Sequence, residues 1–414
     1  MSEWKRYKLS DIASLSNGIN FDKSAYTSGV KLIGVADFKD RIYPDFNSLQ
    51  EVDPKVVRKG DYLEKGDIVF VRSNGNKELV GRCMMIDQDI PVTYSGFCIK
   101  LRLMDKNIFE PIFFNYLFRT RQFRKAMTGT AVGANIQNLS QSRLGNCKVC
   151  VPNIEKQREI ATILSRYDSL IENYQKQIKL LEEAAQRLYK EWFVDLCFPG
   201  HESTKIVDSV PEGWEKKRLG DITSKFATGL NPRKNFVLGH GNNYYVTIKN
   251  MANNDVVFDE KCDKVDDEAL EKINRRSDLK QGDLLFSGIG TIGRVFLIDK
   301  PVRNWNISES VFTMRPNPEI PSTFLYLVLL DKEIQDYCQS NAHGCAQKGI
   351  RMADLKAFEL LVPSKEILNS FCKITSNLIK QVKNRSSQIR FLTEARDRFL
   401  PKLMSAEIII KNNK

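Results

Sequence analysis

"EWKRYKLSDIASLSNGIN" (residues 3–20) and "GWEKKRLGDITSKFATGLN" (residues 213–231) are two versions of one segment. Trp4, Leu9, Asp11 and Ile12 recur 210 residues later as Trp214, Leu219, Asp221 and Ile222, an offset that chance resemblance would not hold. The match continues down the chain. "KGDIVF" (65–70) faces "QGDLLF" (281–286), and "GRCMMID" (81–87) faces "GRVFLID" (293–299). Each pair reads as two short apolar strands joined by a polar, glycine-bearing loop. "EPIFFNYLF" (110–118) and "IPSTFLYLV" (320–328) both place proline at the start of an apolar helical run, where its missing N–H costs little. "VGANIQNLSQSRLGNCKVCVP" (132–152) then faces "HGCAQKGIRMADLKAFELLVP" (343–363). A whole globular unit is therefore duplicated, with short insertions falling in loops, where they are tolerated most easily.

After each "VP" the apolar period turns helical. Ile160, Leu164, Tyr167, Ile171, Tyr174, Ile178, Leu181, Ala185, Leu188 and Trp192 alternate steps of four and three, the seam of a coiled coil. A less regular stripe follows the second "VP": Phe371, Ile374, Leu378, Val382, Ile389, Leu392, Phe399 and Leu403, interrupted by Arg385 and Arg396. A helix of about 32 residues would run about 48 Å at about 1.5 Å per residue. Its seam needs a partner, either the other helix or another chain. Between the first helix and the second copy, "CFPGHESTKIVDSVPEGW" (197–214) is rich in breakers and reads as a linker.

A chain of 414 residues is long enough for two or three domains. With 42% hydrophobic and 28% charged residues it has neither the apolar depletion of disorder nor the surplus of a membrane protein. The first twenty residues have no signal-peptide pattern and no apolar run approaches a membrane span, so a cytoplasmic location and no membrane partner are expected. Nine cysteines, an odd and scattered number, fit reduced thiols. The net charge of +12 makes a polyanion a plausible partner.

Catalytic and cofactor signals are offered and withdrawn. "SGIGTIG" (287–293) satisfies GxGxxG, but "RVFLID" after it reads as a strand, so no helix N-terminus would hold a pyrophosphate, and a hairpin loop is expected instead. Cys147 and Cys150 form a lone CxxC without a completing pair, and buried thiols are expected there. His201, His240 and His343 lack metal or triad spacing. "PDF" (44–46) lacks a following Glu-x-Lys at a convincing distance, and there is no Asn/Asp-Pro-Pro-aromatic tetrapeptide. The expectation is a chain with no enzyme activity of its own, no cofactor and no metal.

Arginine, asparagine and glutamine read base edges, whereas lysine more often only neutralises phosphate. Such residues gather at matching places in both copies. The candidate DNA contacts in the first are Arg72, Ser73, Asn74, Asn76 and Lys77, then Arg119, Arg121 and Arg124, then Asn135 and Gln137. In the second they are Arg233, Lys234, Ser287, Thr291, Lys348 and Arg351. Gln137-Asn138 standing against Lys348-Gly349 suggests one binding face whose contents differ between the copies.

A duplicated unit, each copy closing in "VP" and followed by a long helix, resembles the specificity subunit of type I restriction-modification systems. The carrying segments are "RLGDI" with "GLN" (218–231), "QGDLLFSGIGTIGRVFLID" (281–299), "VPNIEKQREIATILSRYDSLIE" (151–172) and "LTEARDRFLPKLMSAEI" (392–408), and the likeness covers essentially the whole chain. "PSKEILNSF" (363–371) departs from the pattern of the first helix start. The resemblance implies an α+β fold with two similar mixed α/β target recognition domains, 1–152 and 213–363. Helical regions 153–198 and 364–414 would pair as an antiparallel coiled coil with pseudo-twofold symmetry, and 199–212 would be the linker. It also implies double-stranded DNA as ligand, each domain reading half of a split asymmetric site, and methyltransferase subunits docked on the helices. Restriction translocase subunits would join through the methyltransferase. Adenine methylation and ATP-driven cleavage would belong to those partners. A nuclease with duplicated DNA-binding domains and a basic scaffold without sequence preference are the alternatives.

Overall fold

The computed structural model describes residues 4–38, 41–76, 78–128, 137–252, 255–344 and 348–405. They form two compact units, one made of the chain up to Leu170 together with the chain from Leu392, the other of Ile171–Phe391.

In unit 1, strand Lys5–Lys8 pairs antiparallel with Lys148–Val151, Lys5 opposite Val151, so the opening and closing strands of the repeat are neighbours. A four-stranded antiparallel sheet has the order Ala13–Asn17, Cys98–Leu103, Ile68–Val71, Cys83–Met85. A three-stranded sheet has the order Gln50–Val52, Tyr26–Ile33, Val92–Tyr94, its last pair parallel. Unit 2 repeats each feature. Glu215–Arg218 pairs with Glu359–Val362, starting from Glu215 opposite Val362. The larger sheet runs Thr223–Thr228, Val311–Pro316, Leu284–Ser287, Val295–Leu297, and the smaller runs Asp263–Val265, Asn243–Val246, Trp305–Ile307, again with a parallel last pair.

The motifs shared by the copies have physical explanations. "IVFV" is apolar without alternation because both faces of its strand are covered. Ile68 and Phe70 pack under helix Pro111–Arg119, while Val69 and Val71 pack with Ile33 and Tyr94. Leu284 and Phe286 face one core, and Leu285 the other, in the same way. The "GD" before each strand supplies a left-handed turn, at Gly66 (φ 92°) and Gly282 (φ 94°), that glycine adopts without strain. The buried aspartate after it takes a two-pronged arginine. Arg102 Nε and Nη2 donate to Asp67 at 2.8 and 2.7 Å, and Arg315 Nε and Nη2 to Asp283 at 2.7 and 2.8 Å. "NGIN" and "TGLN" need glycine for another reason: a Cβ at Gly18 would fall on the carbonyl oxygens of Tyr94 and Ser95, and one at Gly229 on that of Ile307.

The two long helices are Ile154–Tyr189 and Lys365–Met404, of 36 and 40 residues. Within unit 1 they run antiparallel, with Tyr167 ringed against Phe399 at 6.2 Å and Asp168 bonded to Arg396. Within unit 2 they do so again, Arg385 meeting Tyr174 and Gln177 while Tyr189 and Trp192 meet Phe371. Ile160, Leu164, Ile171 and Leu403 are buried, and Tyr167, Tyr174, Ile178, Leu181, Leu188, Ile389 and Leu392 partly buried. One seam expectation is corrected: Ile374 is 48% exposed, because the second helix turns Thr375 inward with its hydroxyl bonded to Phe371 O, whereas Phe399, 40% exposed, keeps its contact with Tyr167 at the edge of the seam. The arginines that interrupt the stripe are polar layers of the pairing.

Gln157 explains the first helix start. It is buried, donates to Ile108 O and Pro152 O at 2.9 and 2.8 Å, and accepts from Glu110 N at 2.9 Å. The equivalent in the second copy is Leu368, also buried, which is why "PSKEILNSF" lacks the motif. The linker expectation is also refined. Residues 206–211 form a small hairpin turned by Asp208 and Ser209, both at positive φ, and Trp214 packs on Phe198 at 4.8 Å. At the lone CxxC, Cys147 is partly buried and Cys150 exposed, contrary to the expected burial, because Cys150 lies on the outer face of its strand.

Candidate nucleic-acid interface

At one end of the larger sheet of unit 1, three loops meet. The chain leaving Ile68–Val71 forms Ser73–Asn74, which pairs antiparallel with Gln137–Asn138, and the chain entering Cys98–Leu103 passes beside them. Arg72 N donates to Phe97 O at 2.8 Å, and Leu139 N to Arg72 O at 2.8 Å. The Arg72 side chain reaches Asn138 Oδ1 and Gly96 O, both at 3.3 Å. Asn74 Oδ1 accepts from Asn76 N at 2.7 Å and Asn76 Oδ1 from Glu78 N at 3.0 Å, so the turn uses the amide oxygens of both residues and not their N–H donors. Lys77 and Asn135 lie outside the described residues.

The same backbone cradle recurs in unit 2. Gly288 N donates to Ser310 O at 3.0 Å and Ile350 N to Gly288 O at 2.9 Å, and Ile289 bridges Gly349. Position by position, Arg72, Phe97 and Asn138 become Gly288, Ser310 and Gly349. Gly290 N donates to Lys348 O at 2.8 Å, placing the exposed Lys348 on the rim, and Thr291 is exposed on the same loop. Ser287 is buried, and its hydroxyl is spent on Thr291 O and Arg294 N inside the loop. The turn that carries the exposed Arg233 and Lys234 is tied to the cradle, since Asn231 donates to Glu309 Oε1 and Tyr245 to Glu309 Oε2, both at 2.9 Å. Burial, with Glu309 beside it, pushes the Tyr245 hydroxyl well above its ordinary range, so it stays a donor. Arg351 is exposed just before helix Met352–Lys356.

Arg119 and Arg124 turn their guanidinium groups onto main-chain carbonyls. Arg119 Nη1 donates to Arg41 O and Cys83 O at 2.8 and 3.3 Å, and Arg124 Nη2 to Glu78 O at 2.7 Å. Burial draws the Arg124 guanidinium below its usual range. Arg121, between them, is exposed. After Gly293 comes strand Val295–Leu297, so the GxGxxG spacing belongs to a hairpin.

Phe97, which is not among the contacts expected from the sequence, is 62% exposed at the centre of the unit 1 cradle. It lies in the turn between strands Val92–Tyr94 and Cys98–Leu103, and the glycine before it in "TYSGFCIKLRL" was the available sign of that turn.

The helical layer differs between the units as well. In unit 1 the Tyr116 hydroxyl donates to Asp168 Oδ2, and Arg396 Nη1 to Asp168 Oδ1, each at 2.5 Å. Burial first, then the adjacent carboxylate, push the Tyr116 hydroxyl far above its usual range. The equivalents in unit 2 are Tyr326, Ile379 and Ala185, and they line a cavity of about 510 Å³. Among the described residues no cluster of three or more His, Cys, Asp or Glu has metal-binding geometry, and no helix is long and apolar enough to cross a membrane.

A family model described as the type I restriction modification DNA specificity domain matches residues 1–183 and again 211–390. The type I restriction enzyme MjaIX specificity subunit of Methanocaldococcus jannaschii is 27% identical over 304 residues, 72% of this chain and 68% of that protein. The HindI specificity subunit of Haemophilus influenzae is 24% identical over 99% of this chain and 100% of its own length. The crystal structure of a type I restriction-modification S subunit from M. genitalium shares the fold with a TM-score of 0.61, at 18% identity, covering 97% of this chain and 96% of that one.

Proposed function

The chain belongs to the type I restriction modification DNA specificity family, and from that premise we propose how its two copies divide the work. It is a DNA sequence specificity subunit. Each copy reads one half of a split, asymmetric site. The observation that carries this reading is the repeated cradle: one hydrogen-bonded frame holds Arg72, Phe97 and Asn138 in unit 1 and Gly288, Ser310 and Gly349 in unit 2. A common frame with different contents is what recognition of two unlike half-sites requires.

The recognition domains are 1–152 and 213–363, joined by the 199–212 linker, with 153–198 and 364–414 as helical spacer regions. The paired helices set the half-site spacing and dock methyltransferase subunits, through which the restriction translocase is recruited. The chain itself is non-catalytic and works in the cytoplasm; methylation of adenine and cleavage belong to its partners. Arg72, Asn74, Asn76 and Gln137 face one half-site, while Arg233, Lys234, Thr291, Lys348 and Arg351 face the other.

The test is single-molecule sequencing of adenine methylation in cells expressing the chain with its methyltransferase, against cells lacking the chain. A split asymmetric motif that disappears with the chain is the expected result. In the purified complex, Arg233→Gln and Lys234→Gln should each flatten the fall of log K with log salt by about 0.9 if they meet phosphates, leaving the motif unchanged. Uniform binding to any duplex, with no chain-dependent motif, would replace this reading with a non-specific scaffold.

A further inference from the structure

We propose that Phe97 is a specificity-determining residue of unit 1, its phenyl ring making an apolar contact with a base of the half-site that unit 1 reads. The inference rests on the DNA-reading function proposed above and adds a kind of contact that the arginines and asparagines do not supply.

A single exposed apolar side chain is ordinary on a protein surface. Phe97 is set apart by how it is held. Tyr94, Gly96 and Cys98 around it are buried, while its own side chain is 62% exposed. Gly96 N donates to Ile19 O at 2.7 Å, Cys98 N to Ser95 O at 2.9 Å, and Phe97 O accepts from Arg72 N at 2.8 Å and Ser73 N at 3.4 Å. Arg72 Nη1 adds a bond to Gly96 O. Beneath the loop, Gly18 allows its backbone to lie directly on the carbonyls of Tyr94 and Ser95. The backbone under the ring is thus fixed from both sides, so little ordering remains to be paid when the ring is covered.

The ring also shares its frame with base-reading groups. The amides that bond its carbonyl belong to Arg72 and Ser73, and Asn74 and Asn138 are the next residues of the same two-stranded pairing. A phenyl ring has no hydrogen bond to offer a base edge. It can cover the C5 methyl of thymine in the major groove or lie against a base face at an opened step. Both are apolar contacts that neutralise no phosphate. Unit 2 carries Ser310 at the equivalent place, so the contact is particular to one half-site.

The experiment uses the full chain in complex with its methyltransferase, with Phe97→Ala and Phe97→Leu as variants. Because the ring is exposed, unchanged melting temperatures serve as the folding control. Phe97→Ala should weaken cognate DNA binding about ten-fold, or about 1.4 kcal/mol, with Phe97→Leu retaining more of it. The salt slope should stay unchanged, and the methylated motif should relax in one half only. If a single thymine-to-uracil change in that half weakens wild-type binding but not that of Phe97→Ala, the contact is to the methyl group. If 2-aminopurine beside the step brightens on binding wild type and not Phe97→Ala, the ring lies at an opened step. A bipartite motif and affinity untouched by Phe97→Ala would overturn the proposal alone, as would loss in both halves equally. Absence of any chain-dependent motif with the wild-type protein would instead overturn the underlying DNA-reading function.

Discussion

Arg396→Met tests whether the polar layer in unit 1 fixes the pairing of the long helices. Asp168 is held from two sides, by Arg396 on the opposite helix and by Tyr116 of the globular part, with side-chain exposures of 17% for Asp168 and 23% for Arg396. Removing one partner of a fully buried ion pair costs about 3–5 kcal/mol, because the remaining charge is left without compensation. Here about a fifth of each side chain stays wet, so the expected loss is about 2–3 kcal/mol. The replacement Tyr116→Phe/Asp168→Leu/Arg396→Met removes all three groups together and should recover most of that loss, since well-packed apolar residues often substitute for a buried pair at no net cost. Unit 2 already lives with Tyr326, Ile379 and Ala185 at these places. The assay is hydrogen exchange across residues 392–404, read in the full chain. Arg396→Met should speed exchange there about 30- to 150-fold, while the strand amides of 284–287 keep their protection. Equal losses for the single and triple replacements, or no change in 392–404, would refute the idea that this layer sets the helix register.

Two further outcomes follow from buried polar groups. Lys383 is buried, sits 3.6 Å over the Phe296 ring, donates to Leu297 O at 3.0 Å, and has its pKa drawn down from 10.5 to about 8 by burial. The folded state therefore releases this proton before the unfolded state does, so stability is lowest below about pH 8 and rises by about 3 kcal/mol up to about pH 10.5. Lys383→Met should remove that rise, as the difference in denaturant midpoint between the two proteins at pH 7 and pH 9.5 will reveal; parallel pH profiles would refute it. Gln157→Ala strands one donor and two acceptors at the first helix start and should cost about 2–4 kcal/mol, measured by denaturant unfolding, whereas Leu368→Ala should cost a similar amount through a cavity instead. A Gln157→Ala loss below about 1 kcal/mol would mean that water replaces those bonds.

Much of the fold was legible because the duplication is written in local chemistry. "KGDIVF" and "QGDLLF" each contain a turn glycine, a buried aspartate and a strand covered on both faces, and these demands act within six residues. The helices were legible through their apolar period, but not their finer phase. Ile374 fits the stripe and faces solvent, because Thr375 can turn inward by bonding its hydroxyl to its own helix. Arg385 and Arg396 read as interruptions, since their partners Gln177 and Asp168 lie more than two hundred residues away.

The candidate interface was legible only as a region. Arg72, Asn74, Gln137, Ser287 and Lys348 do converge in their two cradles, yet Arg119 and Arg124 spend their guanidinium groups on main-chain carbonyls, and Ser287 spends its hydroxyl within its loop. By itself the sequence determined that one unit occurs twice, that each copy is followed by a long helix, and that the copies differ where their loops are richest in arginine, asparagine and glutamine. Periodicity, glycine turns and repetition are properties of neighbouring residues, and the linear chain displays them. Only the tertiary structure decided that Arg396 belongs to Asp168, that Gln157 is a buried clamp and that Phe97 stands exposed beside Arg72. Hydrogen bonds and burial join groups by distance in space, and the order of residues along the chain does not record that distance.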